Sequence, residues 1–121
     1  MPASSDQHES ATLQVRVERD PSADVVVVSV AGEVDYDTAH TLRKALRAAL
    51  DARPAAVILD LAGLRFLDSS GLGAIVAGWQ QAGEAGVRYT LRSVPPVVID
   101  ELEITGLAQV LTLDDADSSA A

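Results

Sequence analysis

Apolar and polar residues alternate along LQVRVE at 13–18, the pattern of a strand with one buried and one wet face. The pattern then changes. DVVVVSVAG at 24–32 and AAVILDLAG at 55–63 are near-continuous aliphatic runs, which predict strands covered on both faces. DPSAD at 20–24 supplies a turn between the first two strands, and Pro54 interrupts the chain before the third. VRYTLRS at 87–93 alternates again, and QVLTL at 109–113 predicts a short last strand.

Three stretches between the strands carry helical spacing. Over 38–51, Ala39, Leu42, Ala45, Leu46, Ala49 and Leu50 share one face, while Arg43, Lys44 and Arg47 point away. Asp35, Asp37 or Thr38 is placed to cap the start of this helix. Over 70–83, Leu72, Ile75, Val76 and Trp79 follow the i, i+3, i+4, i+7 rule. A third helix near 96–105 begins at Pro95-Pro96 and stops at Gly106. The element order is therefore β-β-α-β-α-β-α-β, an α/β arrangement. Its first two strands form a hairpin, and right-handed crossovers make the remaining strands parallel in one mixed, helix-backed sheet. Residues 12–113 form one domain, between a polar tail over 1–11 and an acidic tail over 114–121, both expected to be disordered.

Charge narrows the possible partners. The 121 residues carry 18 acids against 9 bases, a net charge of −9, which disfavours nucleic acid and anionic lipid surfaces. A basic protein surface suits it better. The absence of cysteine removes disulfides and thiol chemistry and fits an intracellular setting. No secretory signal opens the chain, and the run at 25–31 is too short to span a bilayer, so a soluble protein is expected. The composition gives no reason to expect an obligate dimer.

One stretch does not fit a simple core pattern. Within LRFLDSSGLGAIV at 64–76, Asp68, Ser69, Ser70 and Gly71 interrupt the apolar run where a strand hands over to the second helix after a short connection. Ser or Asp there can cap the free N–H groups of the helix start, and one such residue suffices. The side of the helix opposite Leu72 carries Ser70, Ala74, Ala77, Gly78 and Gln81, none of them charged. This small-residue face reads as a docking surface beginning at the serines, with burial against the domain's own elements as the rival reading. A hydroxyl in the turn also raises two chemistries. Hydrolysis requires a base, and the two histidines, His8 and His40, fall in the polar tail and on the wet side of the first helix. Phosphate acceptance asks less, because a kinase brings metal, nucleotide and base.

AGEVDYDTAHTLRKAL at 31–46, VILDLAGLRFLDSSGLGAIV at 57–76 and VPPVVIDELEITGL at 94–107 together resemble the STAS domain, and more closely a bacterial anti-sigma factor antagonist. The resemblance runs from about residue 12 to 113 and implies a STAS-like mixed sheet without catalysis of its own or a cofactor. It implies binding to an anti-sigma factor that is also a GHKL-type serine kinase, release of a sigma factor in the cytoplasm, and restoration by a PP2C-type phosphatase. It assigns the phosphorylated residue to Ser69, although helical projection alone puts Ser70 on the outer face. Asp68, Ser70 and Gly71 shape the turn, and Asp35 and Asp37 lie on the neighbouring loop. Members of the family commonly end in a further amphipathic helix, which TLDDADSSAA does not encode.

Two other classes compete with a phosphorylation-switched partner protein. A non-catalytic STAS scaffold subunit of a stress-signalling or lipid-transport complex would share the fold without phosphorylation. A response-regulator-like domain accepting phosphate on Asp60 fits poorly, since the acidic pair and lysine that hold magnesium have no counterpart.

Overall fold

The computed structural model describes residues 5–114, with β1 (Ser5–Ser10), β2 (Leu13–Asp20), β3 (Val25–Val34), α1 (Ala39–Asp51), β4 (Ala56–Leu67) and α2 (Ser69–Ala85). β5 (Arg88–Arg92), α3 (Pro96–Thr105), a 3-10 turn (Leu107–Gln109) and β6 (Thr112–Asp114) complete the described chain. The strands lie side by side in chain order. β1, β2 and β3 are antiparallel, and β3 to β6 are parallel, each parallel step carrying one crossover helix. No helix among the described residues is long and apolar enough to cross a membrane.

Strand alternation separates two faces. Val28, Leu59 and Leu91 are successive partners across β3, β4 and β5, and all are fully buried in the core beneath the helices. The next register row, Ser29, Asp60 and Arg92, lies on the opposite face, where Arg92 Nη2 sits 2.8 Å from Asp60 Oδ2. These strands therefore bury one face fully and the other only in part, rather than both as their sequences predict.

Two further differences from the sequence pattern concern strands. Residues 5–10, expected in a disordered tail, form an edge strand in register with β2, from Ser5 opposite Glu18 to Ser10 opposite Leu13. Backbone pairing holds this strand, so its polar side chains give no apolar period. β4 runs unbroken to Leu67 instead of ending before a connection. Its partners shift between Ser29/Ala31 and again between Gly32/Glu33, with the extra residues on β4, as in β-bulges. Each extra residue breaks the two-residue period of LAGLRFL. The expectations of an acidic tail and of no terminal helix fall on residues beyond Asp114, outside the described ones; Asp114 itself belongs to β6.

α1 buries the face its spacing predicts, and Arg43, Lys44 and Arg47 are exposed. α2 is turned the other way. Gly71, Ala74, Ile75, Gly78 and Ala82 are buried, whereas Leu72, Val76 and Trp79 are half-buried. The cause is close approach: a Cβ on Gly78 would stand 3.1 Å from Leu46 Cδ1 of α1 and 2.6 Å from the Tyr89 hydroxyl. That hydroxyl donates to the Ile75 carbonyl at 3.0 Å, and burial pushes its pKa up, keeping it a neutral donor.

Gly78→Ala gains about 1 kcal/mol of helix propensity but overpacks a fixed ring, at a cost of about 1–3 kcal/mol. Chemical denaturation is expected to show net destabilisation. Adding Tyr89→Phe, which removes the clashing oxygen, should recover part of the loss; equal losses in the single and double variants would exclude this packing.

Candidate functional site

β4 ends at Leu67, and Asp68 turns the chain into α2 with extended backbone angles. Its Oδ1 accepts from the N–H groups of Ser70 at 2.8 Å and Gly71 at 3.1 Å, which the first helical turn leaves without partners. Its Oδ2 accepts from the Tyr36 N–H at 3.2 Å, and its own N–H donates to the Val34 carbonyl at 3.1 Å. One carboxylate thus caps a helix and pins the loop after β3. Gly71 lets this turn sit close, since a Cβ there would meet Val34 Cγ1 at 2.8 Å.

The neighbouring loop is held in the same manner. Asp35 Oδ1 accepts from the N–H groups of Asp37 and Thr38, each at 3.0 Å, while the Thr38 hydroxyl donates to the Glu33 carbonyl at 2.9 Å. Contrary to expectation, none of Asp35, Asp37 and Thr38 caps α1 with its side chain: Thr38 stands at the N-cap position, its hydroxyl is turned back to the Glu33 carbonyl, and Asp35 holds the loop before the helix. Asp37 is exposed.

Ser69 is exposed and its hydroxyl makes no hydrogen bond among the described residues, while Ser70 is half-buried. The projection that favoured Ser70 assumed that the helix faces solvent with its small residues. Because α2 is turned, Ser69 is the more accessible serine. Asp35, Asp37, Asp68, Ser69 and Ser70 are grouped at this end of the sheet. Gly71, Ala74 and Gly78 are buried by the domain itself and cannot form an outer docking face. Ala77 and Gln81, both half-buried, sit about 12 and 18 Å along α2 from Ser69. Gln81 Nε2 donates to Asp51 Oδ1 of α1 at 3.2 Å.

Two residues of this region escaped the sequence reading. Tyr36 is 83 % exposed between Asp35 and Asp37, and Phe66 is 49 % exposed just before the turn. Both rings are left in water on segments that the Asp68 carboxylate ties together, Tyr36 in the bonded loop and Phe66 two residues before the turn. The available signal was that two of only four aromatics flank the acidic loop and the DSSG turn. Among the described residues no three His, Cys, Asp or Glu side chains are grouped to hold a metal ion.

The STAS domain family model matches residues 14–120. The chain belongs to the STAS domain family. A crystal structure of an anti-sigma factor antagonist from Mycobacterium paratuberculosis shares the fold with a TM-score of 0.78 at 30 % identity, over 93 % of this chain and 95 % of that one. The anti-sigma F factor antagonist of Paenibacillus polymyxa is 28 % identical over 109 residues, covering 89 % of this chain and 93 % of the relative. An anti-sigma-F factor antagonist of Mycobacterium tuberculosis is 29 % identical over 89 residues, covering 74 % and 72 % of the two chains.

In this STAS domain Asp68→Ala removes both the cap and the bond to the Tyr36 N–H. Urea denaturation is expected to show a loss of about 1–2 kcal/mol, and hydrogen exchange at the Tyr36 amide should accelerate. An unchanged Tyr36 exchange rate would show that the carboxylate does not hold the loop.

Proposed function

We propose that this STAS domain is an anti-sigma factor antagonist whose binding is switched by phosphorylation of Ser69. The observation that carries this reading is the exposed, unengaged Ser69 hydroxyl on a helix start that Asp68 holds independently of it. The names of the similar proteins support the partner class.

In this reading the unmodified protein binds an anti-sigma factor in the cytoplasm through the surface around Ser69, Ser70, Asp35, Asp37 and Asp68, with Tyr36 and Phe66 supplying apolar contact area. The sigma factor is thereby freed. The anti-sigma factor is also a GHKL-type serine kinase. The Ser69 oxygen forms a bond to the γ-phosphorus of ATP as the bond to ADP breaks, and the hydroxyl proton passes to a base on the kinase. A phosphate of about −1.5 to −2 charge then stands beside Asp68 and the loop carrying Asp35 and Asp37. Like charge and added bulk remove the complementarity of a surface that the partner had matched. A PP2C-type phosphatase returns the serine.

Asp60 supports no competing phosphoryl-aspartate reading, because its carboxylate lies on the less buried sheet face, paired with Arg92.

Incubation with the cognate anti-sigma factor and ATP should add one phosphate, located at Ser69 by mass spectrometry. Ser69→Ala should keep its affinity and stay bound, and the phosphoprotein should bind at least about tenfold more weakly, a change of about 1.4 kcal/mol. Phosphate confined to Ser70, or calorimetry showing equal affinity of both forms, would overturn the reading.

A further inference from the structure

Gly73 leaves uncovered a patch of α2 that Arg43 of α1 occupies. Arg43 Nη2 lies 3.1 Å from the position a Gly73 Cβ would take. A helical side chain covers the surface over the turn preceding its own Cα, which for position 73 is the turn of Ser69 and Ser70. Residues four apart on a helix have Cβ atoms about 5–6 Å apart, so the guanidinium stands within about one helical turn of Ser69. Among the described residues Arg43 makes no hydrogen bond or ion pair.

The other cations are placed elsewhere. Arg47 lines a groove between α1 and α2 with Ala77 and Trp79, further from the helix start. Arg65 lines a depression with Gln14, Ala31 and Gly63. Lys44, next to Arg43 along α1, is exposed and makes no hydrogen bond or ion pair among the described residues.

We infer that Arg43 is the receiving group for a phosphate carried on Ser69, forming an ion pair that bridges the first turn of α2 to α1. The inference rests on Ser69 being the modified residue. A phosphate there finds little support from the helix start itself, because Asp68 Oδ1 already accepts from the Ser70 and Gly71 N–H groups. Asp68, Asp35 and Asp37 oppose it. Of the groups on the facing helix, His40 and Lys44 lie beside Arg43 along α1 and Arg47 reaches α2 nearer Ala77 and Trp79, whereas Arg43 reaches its first turns at Gly73. Its planar fork suits two phosphate oxygens at once, at about 2.7–2.9 Å. Rotation of its long side chain supplies the remaining reach. Phosphorylation then joins two helices instead of merely adding repulsion at one end.

The test installs phosphoserine at position 69 during translation, so that no kinase is involved. Phosphorus NMR titration of the intact protein should give a second phosphate pKa about half a unit or more lower in wild type than in Arg43→Gln. Salt near 1 M should shrink the difference. Equal values in the two proteins overturn the inference. A second measurement needs no variant and so does not depend on Arg43→Gln folding: the Arg43 Nε–H resonance should shift when serine is replaced by phosphoserine, and an unmoved resonance also overturns it. Kinase labelling that misses Ser69 would sink the proposed function while leaving these readouts intact. Labelling at Ser69 with no Arg43 response would do the reverse.

Discussion

The Asp68 carboxylate is the interaction on which the organisation of this end of the molecule depends. A strand running straight into a helix leaves the first helical N–H groups without acceptors, and the preceding loop has no reason to stay beside them. Asp68 answers both demands, with one oxygen on Ser70 and Gly71 and the other on Tyr36. Asp35 fixes the far side of the same loop. Because these carboxylates and backbone groups hold the turn, Ser69 is left out of the structural bonding. A residue that holds nothing can be modified without unfolding what surrounds it.

The order of strands and helices was readable because each rests on a local rule: alternation, proline and glycine punctuation, or a run of β-branched residues. The orientation of α2 was not. Leu72, Ile75, Val76 and Trp79 form the larger apolar group, and spacing alone assigns them to the core, yet only Ile75 of that set is fully buried. Leu42 and Leu46 of α1 are large and buried, and a close neighbour must present small residues to them. Size complementarity between two helices is a pairwise property, and hydrophobic periodicity within one helix does not contain it. The missing charges on the Ala74 and Gly78 side were a sign of burial.

β1 and the irregular end of β4 were hidden for a related reason. Edge pairing from Ser5 to Ser10 is made by backbone groups, which every sequence has, and the side chains there are polar. In β4 two extra residues change which side chains face inward, so AGLRFL loses its period and reads as a connection. The chemical content of the site was more legible than its walls. Asp68, Ser69 and Asp35 stand out by type and position, whereas the exposure of Tyr36 and Phe66 follows from where the bulged strand and the pinned loop happen to meet.

The distribution of charge gives Ser69 its particular place. The protein is strongly acidic overall, yet the outward side of α1 carries Arg43, Lys44 and Arg47. The loop that precedes α1 carries Asp35 and Asp37, and Asp68 is bonded to it. Ser69 stands at the boundary between these two fields, with the acidic turn on one side and the guanidinium over Gly73 on the other. A neutral hydroxyl leaves the boundary as it is. In the proposed switch, a doubly negative group on Ser69 would extend the acidic field toward α1 and pair with Arg43, so both sides would change together. Screening confines such effects to about 8–10 Å at physiological salt, and a partner resting across the boundary lies within that range.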